Sequence, residues 1–320
     1  MNYAVDNILE NCMESFRKRI FLIYDQSSAD VVKVFQKAAP KHEKILSMTK
    51  VEIGNQHGEE PSLTVVREML HCDAIMCITK YSMAHTAARK QTEERGIPFL
   101  SMPDYDLNIL QNSAFSVNYK SRSRLVDEYA QRLTDGNRVA VTTGKGTELY
   151  LDIKGRCGNS CPGITDEHHL LASPPDIEAN IAPLENYTHG QIVVDGSITD
   201  RRLGLLSADV ILKIRGGAIY GIESADKKIE NIVKDIFARI AVDEAYVVGE
   251  FGIGFNDKAE LCGNMLVDEG ATGCVHFGIG SNWTIGGMNR VNFHLDFVIK
   301  DATVTIDDNI VIKEGALLYG

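Results

Sequence analysis

"RIFLIYDQSSADVVKVFQKAAPKH", Arg19 to His42, decides the fold class of the first part of the chain. A short apolar run closed by Asp25 reads as a buried strand, and the segment after it spaces its apolar residues at helical intervals behind a Ser/Asp start. The unit recurs. "HCDAIMCITK" (71–80) is a second strand signal, "SMAHTAARKQTEERG" (82–96) a helix ended by Gly96, and "IPFLSMPD" (97–104) a third strand. Strands alternating with helices pair in parallel through right-handed crossovers, so residues 1–135 are expected to form an α/β domain, a parallel sheet with flanking helices. No G-x-G-x-x-G follows any of these strands, and a dinucleotide fingerprint is absent.

Past "TDGN" (134–137) the strands come as neighbours. "GQIVVDGSI" (190–198), "VILKIRGGAIYGIES" (210–224) with a Gly-Gly turn, and "ATVTIDDNIVIKEGALLY" (302–319) with an Asp-Asp-Asn turn read as hairpin material. One helix interrupts them. "DKKIENIVKDIFARIAVDE" (226–244) sets Ile229, Ile232, Val233, Ile236, Phe237 and Ile240 at three- and four-residue steps, a stripe suited to covering a sheet face. Residues 136–320 are therefore expected to be an α+β, mainly antiparallel domain.

Composition narrows the function classes. The 320 residues are 44% hydrophobic and 24% charged, a globular profile, and carry a formal net charge of −11. No basic block accompanies that charge, so nucleic acid is not an expected partner. No run of about 18 uncharged apolar residues occurs, which gives no helical membrane span, and the first residues lack a basic segment followed by an apolar one. A cytoplasmic location is the expectation. The seven cysteines are an odd, scattered set, expected to be reduced, and Cys157 and Cys161 in "CGNSC" lack a second pair at zinc-site spacing.

"NFHLDFVIKD" (292–301) carries the first chemical signal. Alternation puts Asn292, His294 and Asp296 on one face of a strand, with Phe293, Leu295, Phe297 and Ile299 on the other. An H-x-D pair can bind metal, form a plain hydrogen bond or sit in solvent. Three segments add donors: "AYVVGEFGIGFN", where Glu250 closes an apolar run before expected turns at Gly252 and Gly254; "LVDEGATGCVHFGIG", with His276 at a strand mouth; and "PPDIEANIAPLEN", with Glu178 between proline breaks. Each has a plain reading, as loop charge, strand-end charge or core histidine. Two Glu, two His and one Asp together suit two divalent ions bridged by a carboxylate.

"GTELYLDIKGR", "EANIAPLENYTHGQIVVDGSI", "GEFGIGFN", "DEGATGCVHFGIGSN" and "GGMNRVNFHLDFVI" follow the order, and nearly the spacing, of the aminopeptidase T-like dinuclear metallopeptidases, which the chain resembles from about residue 70 to about 300. The resemblance implies Glu178, Glu250, His276, His294 and Asp296 as metal ligands and a homodimer. It also implies a metal-activated water that cleaves an N-terminal residue or small amide. Glu250 and Glu269 are the expected catalytic carboxylates, and zinc, cobalt or manganese the expected ions, two per chain. Ser82, His85 and Arg89 in the first domain, and Trp283, are expected at the substrate. Trp283 stands where the family commonly has a tyrosine, and indole has no hydroxyl to offer.

Two alternatives accompany that expectation. The same superfamily includes a ring-cleaving dihydroxypyridine dioxygenase that uses one iron, and His276, His294 and Asp296 could nominally supply the two-histidine, one-carboxylate set that a single Fe(II) takes. An inactive metal-binding homologue is the other. The resemblance favours hydrolysis, because the additional carboxylates are what a second ion requires.

Overall fold

The computed structural model describes residues 2–14, 16–84 and 86–318. It divides the chain into two compact units, Met1–Ser123 with Cys161–Asp176, and Arg124–Ser160 with Ile177–Gly320. The expected single boundary at residue 135 is thus replaced by a chain that leaves the first unit, returns and leaves again. The physical reason is a two-residue strand, Leu171–Ala172, which adds to the edge of the first unit's sheet beside Phe99–Ser101. So short a strand has no periodicity to read.

The first unit has the expected α/β architecture. Its five strands run Ile45–Lys50, Arg19–Tyr24, Ala74–Ile78, Phe99–Ser101, Leu171–Ala172, and all pair in parallel. Helices Ala29–Ala38, Leu63–Met69 and Ala87–Glu93 make the crossovers. The central strand Ala74–Ile78 is buried at every position, as a strand covered on both faces must be. Phe21, Ile23, Ile75 and Phe99 form its core with Val65 and Met69 of the second helix.

The second unit holds two sheets and is mainly antiparallel. An eight-stranded sheet runs Ala218–Ser224, Val210–Arg215, His189–Val194, Glu148–Asp152, Arg138–Thr142, Thr303–Ile306, Asn309–Lys313, Ala316–Leu317. The Gly-Gly turn is a hairpin as expected, with both glycines at positive φ (57° and 81°), the geometry that suits the twist of the flanking strands. A side chain at Gly217 would also drive into the Glu185 carbonyl.

A seven-stranded sheet runs Gly204–Leu205, Ser197–Ile198, His294–Lys300, Cys274–Gly280, Phe251–Gly254, Glu178–Ile181, Asn159–Cys161. Its central strands divide their residues cleanly by face. Phe251, Ile253, Phe277, Ile279, Phe297 and Ile299 all lie on one side and are fully buried. The expected helix, Lys227–Ile240, starts at Asp226, whose carboxylate accepts from the amides of Lys228 and Ile229. Its Phe237 ring lies 6.3 Å from Phe297 and 5.3 Å from Phe293. Each such aromatic removed from water stabilises by about 1.5–3 kcal/mol, so this face anchors the strands whose other face carries the chemistry.

Candidate metal centre

Strand pairing assembles that other face. Glu178 and Asn180 lie opposite Gly254 and Gly252; Gly252 in turn lies opposite His276; Gly278 lies opposite Asp296 and Gly280 opposite His294. Paired residues share a face, so donors and glycines fill one side in alternation across four strands. The glycines make room. A Cβ on Gly252 would lie 2.1 Å from His276 ring atoms, and one on Gly278 would lie 2.5 Å from the His294 ring and 2.9 Å from Glu250 Cβ.

This arrangement corrects three local expectations. Glu250 precedes the strand Phe251–Gly254 rather than closing one, and Gly252 and Gly254 lie within that strand instead of turning after it. His276 is mid-strand in Cys274–Gly280, not at its mouth. Glu178 opens a fully buried strand rather than sitting in a loop. The two glycine-rich segments, around Glu250 and His276, resemble turns in sequence because Gly252 and Gly278 leave the space that a facing imidazole needs.

The five expected ligands converge. His276 Nε2 lies 3.0 Å from Glu178 Oε2 and 3.9 Å from Glu250 Oε1, while His294 Nε2 lies 3.2 Å from Glu250 Oε2 and 2.9 Å from Asp296 Oδ1. Two donor groups result, Glu178–Glu250–His276 and Glu250–His294–Asp296, each with its donor atoms within 4.8 Å of one another. Glu250 belongs to both, one oxygen turned to each histidine. Glu178, Glu250, His276 and Asp296 are buried, and His294 keeps a third of its side chain in contact with solvent.

Three carboxylates against two imidazoles, mostly buried, are expensive unless a cation offsets them. Burial opposes charge on His276, yet Glu178 and then Glu250 hold it well above the ordinary imidazole range. His294 is treated likewise by burial, Asp296 and Glu250, and it is also held high. Burial opposes ionisation of Glu250 and Asp296, but the two imidazoles depress Glu250, and His294 foremost depresses Asp296. The carboxylates that favour positive charge on the imidazoles would favour a divalent ion in the same place.

The donor chemistry fits metal. Glu178 Oε2 is buried and makes no aligned hydrogen bond although His276 Nε2 lies 3.0 Å away, and His276 Nδ1, on the other side of the ring, is also buried without a partner. His294 Nδ1 lies 2.9 Å from the Ser281 carbonyl, which can only accept. The proton therefore sits on Nδ1 in the neutral ring, and Nε2 is left for an ion. Thr199 holds Asp296: its hydroxyl accepts from the Asp296 amide at 3.1 Å and lies 3.4 Å from Oδ2. Neither group contains two histidines with one carboxylate, the set expected of a single-iron oxygenase.

The remaining expected residues fall elsewhere. Glu269 caps the short helix Met265–Asp268 and belongs to neither donor group. Trp283 is half exposed on the connection between the His276 and His294 strands, with the Arg290 guanidinium 3.0 Å over its ring. In the first unit, Ser82 Oγ lies 2.9 Å from Ser101 Oγ, and Arg89 donates to the Ala84 carbonyl and to Glu93. The helix that follows is capped by Thr86, and its Ala87 and Ala88 amides are taken by the Glu60 carboxylate. The start of this helix is thus satisfied from within the chain. His85 lies outside the described residues. All seven cysteines are free thiols, and among the described residues neither Cys157 nor Cys161 joins a metal-holding group.

A family model for 2,5-dihydroxypyridine 5,6-dioxygenase (NicX) matches residues 18–319. The chain belongs to this family. The solved 2,5-dihydroxypyridine dioxygenase of Pseudomonas putida KT2440 has the same fold, with a TM-score of 0.81 at 16% identity over 100% of this chain and 98% of that one. Wild-type AmpT of Thermus thermophilus also has it, with a TM-score of 0.70 at 12% identity over 99% of both chains. No curated protein sequence matches the chain. Membership in the dioxygenase family favours the ring-cleaving alternative over the aminopeptidase expectation. Both likenesses show the expected fold class. No helix among the described residues is long and apolar enough to cross a membrane.

Proposed function

We propose that the chain is a metal-dependent hydrolase of a small amide, its centre built for two divalent ions that share Glu250. The observation that carries this reading is the division of the Glu250 carboxylate, Oε1 facing His276 and Oε2 facing His294, each in its own one-histidine, two-carboxylate group. Bound there, divalent ions would supply a Lewis acid for a carbonyl oxygen and lower the pKa of a coordinated water. Glu178 and His276 would hold one ion, His294 and Asp296 the other, and Glu250 both. The fully buried apolar face beneath keeps the strands, and hence the donors, in fixed register.

Family membership favours a second reading, an oxygen-dependent opening of a hydroxylated pyridine ring with Fe(II). The donor groups do not match the usual two-histidine set for that ion, and no step is derived through it. One experiment separates the readings: anaerobic purification, metal analysis, then reconstitution with zinc, manganese, cobalt or Fe(II). Two ions per chain and oxygen-independent cleavage of aminoacyl amides are the expected result. One iron with oxygen uptake in the presence of 2,5-dihydroxypyridine would overturn the hydrolase in favour of the second reading.

A further inference from the structure

Only one oxygen of Glu178 faces His276. The other, Oε1, accepts from Asn180 Nδ2 at 2.7 Å; Asn180 Oδ1 accepts from Asn159 Nδ2 at 2.8 Å; and the same Asn159 amide reaches the Ile285 carbonyl at 3.3 Å. Both ends of this chain fix its direction. A carboxylate and a backbone carbonyl can only accept, so Asn180 must turn its nitrogen toward Glu178, and Asn159 must donate both ways. Asn180 shares the strand and face of Glu178 and is 3% exposed. Asn159 comes from the neighbouring strand at the sheet edge.

The far end of the relay is a fastened loop. Ile285 lies in the connection that joins the His276 strand to the His294 strand and carries Trp283. Arg156 donates to the Gly286 carbonyl and pairs with Glu185, and Glu185 accepts from Asn282 at 3.0 Å and from the Met288 amide at 2.6 Å. The loop is therefore a fixed point against which the amides can be set.

We propose that Asn180 and Asn159 are positioning residues that orient the Glu178 carboxylate for a metal ion and tie that orientation to the loop bearing Trp283. The terminal torsion of a glutamate is broad and nearly two-fold, so an unheld carboxylate must be ordered when the ion arrives. Here Oε1 is already held and Oε2 already faces His276. This inference rests on the two-ion reading above.

The test is a Zn²⁺ titration of apoprotein by calorimetry against a competing chelator, for the wild type, Asn159→Asp and Asn159→Ala, with the melting temperature of each apoprotein recorded. Asn159→Asp is nearly isosteric but offers Asn180 an acceptor, which inverts the Asn180 amide and sets its oxygen against Glu178. The expected result is a loss of about 10- to 100-fold in affinity for one of two ions, the other unchanged. Asn159→Ala, which removes more atoms but inverts nothing, should lose less. A purely structural role gives the reverse order, because alanine leaves the larger gap. Wild-type affinities in Asn159→Asp, or a greater loss in Asn159→Ala, would overturn the relay. A wild type that takes up a single ion overturns the two-ion reading instead, and the order of the two variants for that ion then decides the relay.

Discussion

Gly252 lies directly across the strand pair from His276, and a single methyl group on its α-carbon would lie 2.1 Å from the imidazole. Backbone and ring share a space sized for hydrogen alone. Gly252→Ala must displace His276 or spread the strands, at a cost of about 1–3 kcal/mol of overpacking. The expected outcome is loss of the ion held by Glu178 and His276 with the other retained, read by metal analysis after dialysis. Gly278→Ala, which crowds both the His294 ring and the Glu250 Cβ, should lose the ion held by His294 and Asp296 and weaken the other through the shared carboxylate. Full occupancy in both variants would show that the donors are not where the ions bind.

Glu250 occupies a different position in the hierarchy from the other four donors. Glu250→Ala should abolish both sites, whereas Asp296→Asn or Glu178→Gln should abolish one, because only Glu250 belongs to both groups. Equilibrium dialysis with Zn²⁺ or Mn²⁺ reads the count directly. One ion retained by Glu250→Ala would contradict the shared carboxylate.

Phe237 supports the centre from the opposite face of the sheet, packed on Phe297 of the strand that bears His294 and Asp296 and on Phe293 just before it. Phe237→Ala should destabilise by about 3–5 kcal/mol in denaturant unfolding, chiefly through the cavity left behind. A loss below about 1 kcal/mol would mean that the helix does not anchor the sheet.

Glu230 gives a pH dependence independent of the metal groups. Lys227, then Lys234, then the Ser224 amide hold its carboxyl down to about 2. A carboxyl depressed on folding adds stability that is complete above its unfolded pKa of about 4.3 and disappears as pH falls through the folded value. Glu230→Gln should therefore melt below wild type at pH 7, with the difference narrowing progressively below about pH 4. A difference that stays constant to pH 3 or widens there would refute the assignment.

The fold was legible wherever a period was long enough to register. Arg19–Ala38 shows strand then helix, Val210–Ser224 shows two strands about a Gly-Gly turn, and both stand as expected. His294 and Asp296 were legible as a pair because two residues along a strand is one face. Glu250 and His276 are legible as donors but not in their true places, since Gly252 and Gly278 imitate turns while clearing space for rings. Asn159, Asn180 and Thr199 were missed altogether. Asn159 reaches Ile285 and Asn180 across 126 and 21 residues and Thr199 reaches Asp296 across 97, contacts that only sheet pairing makes, whereas Glu178 and Asn180 stand two residues apart on one strand face, the same spacing as His294 and Asp296.

The divided Glu250 carboxylate also makes the two groups one thermodynamic object. An ion drawing on Oε1 changes the charge left on Oε2, so filling either group alters the affinity of the other by a factor that is identical in both directions. Loading order can therefore be read backwards from unloading. A chelator that strips the weaker ion will change its grip on the stronger one by the same ratio that binding conferred.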